Sequence, residues 1–94
     1  MKIEGFIWLD DVIEKLVAKH RVDRLEVEEV FSNSPAFRFV EKGHRPKENV
    51  YAASGRSDAG RYLICFFVRK IGNKALVLSA RDMTESERKR YEKK

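Results

Sequence analysis

The run Tyr62-Leu63-Ile64-Cys65-Phe66-Phe67-Val68 constrains this chain most. A strand turns successive side chains to opposite sides, so seven apolar residues in a row suit a strand covered on both faces. The run therefore predicts a central strand over about 61–70. It is far shorter than the roughly 20 apolar residues of a membrane span, so no membrane contact is expected. Cys65 is the chain's one cysteine, which forbids an intrachain disulfide, and in this setting it reads as a small buried hydrophobe and not a nucleophile.

The flanking segments supply partners for that strand. Phe37 and Phe39 alternate with Arg38 from Ala36 onward, as in a half-buried strand, and a polar loop follows from Glu41 to Glu48. A strand over about 49–56, a turn at Ser57-Asp58-Ala59-Gly60, a hairpin at Gly72-Asn73 and a strand from Lys74 to Ala80 complete a four-stranded antiparallel sheet. Helices flank it. Asp11-Val12-Ile13-Glu14, Asp23-Arg24-Leu25-Glu26 and Thr84-Glu85-Ser86-Glu87 each have capping-box spacing. Val12, Ile13, Leu16 and Val17 form an apolar stripe that His20 continues, and Val27, Val30 and Phe31 form the second helix's buried face. Ser32-Asn33-Ser34-Pro35 ends that helix. The expectation is a single α+β domain over 1–94, with two N-terminal helices, four antiparallel strands, a C-terminal helix, and the helices on one face.

Charge narrows the partners. Residues 1–35 hold five Lys/Arg against eight Asp/Glu, and residues 36–94 hold fifteen against seven. The later part either faces phosphates, which the earlier part does not suit, or is simply the solvated surface of a lysine-rich protein. With one cysteine and two histidines, His20 and His44, no zinc site, other metal or cofactor is expected. The opening residues lack the apolar stretch of a secretory signal, so the cytoplasm is the expected compartment.

Several pieces taken in order resemble the BrnT-like toxins, a family with the RelE-like ribonuclease fold. They are Trp8 ahead of Lys19-His20, Glu29-Val30-Phe31, Gly55 with Ser57-Asp58-Ala59-Gly60-Arg61, Leu78-Ser79-Ala80-Arg81, and Glu87-Arg88 with Tyr91. The resemblance runs from Trp8 to Tyr91. This chain departs from the family pattern at Leu9, where Asp is usual, at Leu16, where Asn is usual, and at Arg21, where Gly follows the histidine. Glycine there suits a left-handed helix cap that costs arginine roughly 1 kcal/mol. Two arginines that the family carries on its sheet fall at Val50 and Leu76. The chain looks like a divergent branch.

The resemblance implies the toxin of a type II toxin–antitoxin pair, a metal-independent ribonuclease. Its implied partners are RNA and a ribbon-helix-helix antitoxin, with DNA reached only through that antitoxin. The alternative is a catalytically inactive relative that binds an antitoxin or RNA without cleavage. Metal-free cleavage needs a base for the 2′-hydroxyl, an acid for the leaving oxygen, and positive charge at the phosphate. The resemblance places such a site on the exposed sheet face and the start of the last helix.

Arg81 is the first candidate, as a phosphate clamp or in an ion pair with Glu87 or Asp82. Arg56 and Arg61 flank the 57–60 hairpin and either reach phosphate or lie on a solvated turn. Tyr91 stacks a base, donates a proton, or anchors the last helix. His20 titrates in the right range or is a structural histidine on the apolar stripe. The catalytic candidates are thus Arg81, Arg56, Tyr91 and His20. The RNA-binding candidates are Arg61, Arg38, Arg88, Lys42, Arg45 and Lys47.

Overall fold

A computed structural model describes residues 1–45 and 48–93. A short strand β1 (Gly5–Ile7) opens the chain. Helix α1 (Asp10–Lys15) continues into a π-helical turn, Leu16–His20, and is followed by α2 (Arg24–Ser32). Strands β2 (Ala36–Glu41), β3 (Val50–Arg56), β4 (Tyr62–Lys70) and β5 (Lys74–Asp82) then lead into α3 (Glu85–Glu92). The sheet order is β1-β5-β4-β3-β2, with the apolar run of β4 at its centre.

The expected four antiparallel strands are present, but the sheet is five-stranded and mixed, because β1 pairs parallel to β5 along Gly5–Lys74, Phe6–Ala75 and Ile7–Leu76. Three residues are too few to show a period of two, so only the partner strand reveals β1 as a strand. A bulge in β5, opposite Phe66 and Phe67, separates the registers Phe66–Ser79 and Phe67–Val77. It places Leu78 at the extra position.

One sheet face carries α1, its π turn and α2. Leu63, Cys65 and Phe67 pack there with Leu16, Val27, Val30 and Val77. Phe31 of α2 lies among Phe6, Phe37 and Phe67, at ring-centroid distances of 5.0, 6.0 and 5.2 Å. Gly55 lets α2 approach β3 closely, since a Cβ there would meet Val30 Cγ1 at 3.1 Å. Burial pushes the Cys65 thiol up to about 12, consistent with an inert core residue.

The helices do not all share that face. The side chains of Tyr62, Ile64, Phe66 and Val68 alternate with the core residues and point to the opposite side. There Tyr91 of α3 packs edge-on against Tyr62. α3 buries none of its own residues, so its amphipathic signal is too weak to assign a face from sequence.

Two of the three capping boxes form, at Asp23/Glu26 and Thr84/Glu87. The one expected at Asp11 does not. α1 begins at Asp10 with Leu9 as its cap residue, and the Leu9 carbonyl accepts from the Val12 and Ile13 amides. Gly72 and Asn73 both adopt positive φ, at 82° and 58°, as the hairpin reading requires.

Arg21 caps the π turn in the left-handed conformation, with φ 52° and ψ 39°. Arg21→Gly is accordingly expected to stabilise the fold by ~1 kcal/mol, measured by urea unfolding at neutral pH. An unchanged or lower midpoint would show that the cap carries no strain.

Candidate functional site

At one end of the face opposite the helical layer, Arg56 closes β3 directly across from Tyr62, which opens β4. The Arg56 guanidinium lies 4.7 Å from the Tyr62 ring centroid, and that of Arg88 lies 4.0 Å from it. Tyr91 completes the cluster with its ring 6.0 Å away and nearly perpendicular. The Tyr62 hydroxyl donates to Glu92 at 3.0 Å, and Arg88 approaches the same carboxylate at 3.7 Å. Two cations therefore share one aromatic ring, and one exposed carboxylate is a weak counterweight to them. An anion entering beside the ring would be held by both.

Local structure fixes this arrangement from three sides. Asn33, at the end of α2, donates to the Arg56 carbonyl at 2.9 Å and to Asp58 at 3.0 Å, which ties the hairpin base to the helical layer. The Arg56 side chain reaches the Gly60 carbonyl at 3.4 Å. The Thr84 capping box starts α3 at the angle that delivers Arg88, Tyr91 and Glu92 to Tyr62. Ser34, Pro35 and Ala36 wall a groove of about 710 Å³ beside the cluster. A smaller cleft of about 100 Å³ continues from it, lined by Arg38, Ser54, Ile64, Glu87, Arg90 and Tyr91.

Arg81 is engaged elsewhere. It grips Glu87 through two hydrogen bonds, of 2.7 and 3.0 Å, and lies 5.6 Å over the Phe66 ring. Glu87 also accepts from the Thr84 amide at 2.8 Å. The bond from Arg81, and to a lesser degree those from Thr84, hold the Glu87 carboxyl down to about 2, while burial opposes them. The guanidinium is raised in turn, chiefly by the bond to Glu87. A carboxyl lowered in the folded state stabilises the fold above its ordinary value near 4.5, and that contribution disappears as pH falls through about 2. Between those limits the wild type is expected to lose about 1–2 kcal/mol that Glu87→Gln does not lose, the value being reduced for solvent screening. Acid titration of both proteins in urea checks this, and parallel curves would remove the pair from the stability balance.

Arg61 turns to the helical layer. It bonds Asp82 at 2.7 and 3.0 Å, Glu26 at 3.2 Å, and the carbonyls of Arg21 and His20 at 2.7 and 2.9 Å. Asp82 is lowered mainly by the Arg61 hydrogen bond. The Arg61 bond to the His20 carbonyl places His20 at the end of the π turn, on the helical side, and not in the Tyr62 cluster.

The family model for "Ribonuclease toxin, BrnT, of type II toxin-antitoxin system" matches residues 8–87. The chain belongs to that family. It is thereby a type II toxin–antitoxin ribonuclease toxin by descent, with an antitoxin as its implied partner and RNA as its implied substrate. No curated protein matches the chain in sequence. The match stops at Glu87, so Arg88, Tyr91 and Glu92 lie just past it.

The fold therefore gathers Arg56, Arg88 and Tyr91 at one point, with Arg38 in the adjoining cleft and Arg81 behind Glu87. It separates them from Arg61 and His20. Lys42 and Arg45 lie toward the other end of the same face, six residues along the strands or about 20 Å away. Lys47 lies outside the described residues. Three members of the site were missed in sequence: Tyr62, Arg90 and Glu92. Tyr62 reads as the first residue of the apolar run, and its hydroxyl was the only hint of another role. Among the described residues, no helix is long and apolar enough to cross a membrane.

Proposed function

We propose that this toxin cleaves RNA without a metal ion, at the cluster built on Tyr62. Arg56 and Arg88 grip the backbone phosphate and stabilise the charge that develops on it. Tyr62 and Tyr91 offer ring faces and edges to an unpaired base. The nearest acceptor for the 2′-hydroxyl proton is the Glu92 carboxylate, oriented by the Tyr62 hydroxyl and loosely paired with Arg88. As the 2′-oxygen bonds to phosphorus, the bond to the 5′-oxygen breaks and the Tyr91 hydroxyl protonates that leaving oxygen, giving a 2′,3′-cyclic phosphate and a 5′-hydroxyl. Glu87 is a poor base by comparison, since Arg81 occupies both its oxygens and lowers its affinity for a proton. Arg81 acts as a positioning residue that sets the start of α3. The observation that carries this reading is the pair of guanidiniums on one tyrosine ring. We further place the protein in the cytoplasm, where its RNA lies, and take its antitoxin to be of the ribbon-helix-helix type.

Purified protein incubated with total RNA in excess chelator tests the proposal. Discrete fragments are expected, and Glu92→Gln is expected to slow their appearance by about a hundredfold, within the range for loss of an acid–base group. Fragments that appear only when a divalent cation is restored would reject metal independence.

A second reading, binding without cleavage, draws on one observation. The two positions where the family carries sheet arginines hold Val50 and Leu76, each facing Val68 across a strand pair. On that reading RNA is retained by the protein but stays intact.

A further inference from the structure

Val50, Val68, Leu76 and Ile7 are cross-strand partners in a single line over four of the five strands. This apolar row crosses the same face as the Tyr62 cluster, at its opposite end. Leu78, at the bulge of β5, stands beside the row and is 41% exposed. Residues 41–45 and Glu48 line a groove of about 450 Å³ over the row, floored by Val50, Val68, Leu76 and Leu78. Lys42 and Arg45 stand on its rim with Glu41, while Lys70 and Glu48 neutralise each other at 3.1 Å. The rim thus keeps a positive surplus.

RNA is a poor fit for such a groove. Bases bind unpaired on aromatic or guanidinium planes, and the floor has neither. A phosphate laid on the floor would lose its hydration to four aliphatic side chains, and the rim cations could meet it only at the edge. Apolar side chains on a segment carrying acidic neighbours match both the floor and the rim.

We propose that this groove is the docking site of the antitoxin, which inserts aliphatic side chains of an acidic segment between Leu78 and Val50. The inference rests on the reading of the chain as a working toxin, and it separates the surface that holds the partner from the surface that holds RNA. The bulge matters here, because it is what turns Leu78 outward beside the row.

The test uses the full-length chain and the purified product of the reading frame adjoining its own. Leu78→Lys adds a cation at an exposed position, so folding is expected to survive and thermal unfolding checks that it does. Antitoxin affinity is expected to fall at least thirtyfold, while affinity for a single-stranded oligoribonucleotide stays within twofold. Leu76→Arg is expected to act in the same direction. An antitoxin affinity unchanged in both variants would overturn the proposal. So would a wild type that does not bind the adjoining product, or an RNA affinity that rises with the added lysine. Arg56→Ala/Arg88→Ala, run in parallel, is expected to weaken RNA binding and leave antitoxin binding intact. A wild type that fails to bind RNA rejects the Tyr62 reading and leaves the antitoxin titration to decide this one.

Discussion

Arg61→Ala is expected to lower the stability of the fold by about 2–3 kcal/mol, below the roughly 3–5 kcal/mol for breaking a fully buried ion pair. Arg61 joins four separate pieces of the chain: the π turn through two carbonyls, α2 through Glu26, β5 through Asp82, and its own hairpin. Its guanidinium is raised, first by the hydrogen bond to Asp82 and with help from Glu26. Removing it leaves Glu26, 24% exposed, without its cation and two carbonyls without their donor. Asp82 is 61% exposed, and water recovers part of its loss, which holds the estimate below that for a fully buried network. The unfolding temperature is expected to fall by about 10–20 °C. Arg61→Lys is expected to restore less than half, because an ammonium cannot span these partners as a planar fork does. Calorimetry or thermal circular dichroism measures both variants. A drop of a degree or two in Arg61→Ala would show that Arg61 is merely a solvated cation, and would return it to the list of free RNA contacts.

RNA affinity is expected to fall by about 30–100-fold in Arg56→Ala/Arg88→Ala at low salt, and to become less sensitive to salt. Each phosphate contact on a single strand contributes about −0.7 to the slope of log affinity against log salt, so two lost contacts should flatten that slope by about 1.4. Fluorescence anisotropy on a labelled oligoribonucleotide over about 0.05–0.3 M salt reads both quantities. Tyr62→Phe serves as the control for α3. It keeps the ring under the two arginines and removes the hydroxyl that holds Glu92, so binding should persist while cleavage slows. Equal loss of binding in Tyr62→Phe would mean that the double variant acts by loosening α3 and not by removing phosphate contacts. On the proposed reading the cations meet RNA on a face whose far end is aliphatic, which would let one sheet engage two partners of different chemistry.

Local chemistry made several features readable in advance. The apolar run was placed at the sheet centre, where covered strands belong, and Gly72-Asn73 and the boxes at Asp23 and Thr84 specify backbone geometry within four residues. The strain at Arg21 was also legible, as a departure from the glycine of the resembled family. Other features depend on contacts between distant segments. β1 is a strand only because β5 lies beside it. Arg56, Arg61, Arg81 and Arg88 are alike as sequence, yet Arg61 and Arg81 are held by close carboxylate hydrogen bonds while Arg56 and Arg88 share Tyr62, with Arg88 only 3.7 Å from Glu92.

The amino-acid order by itself determined the α+β class, the central strand, the hairpin turns and the basic character of the later chain, because each follows from side-chain periodicity, a short-range hydrogen bond or a count of charges. Only the tertiary structure decided which face α3 covers, which arginines are tied into close carboxylate hydrogen bonds, and how Ile7, Leu76, Val68 and Val50 come into line. Those outcomes depend on which strands become neighbours and on the hand of their pleat, and both are set by packing across the whole sheet and not by any one segment.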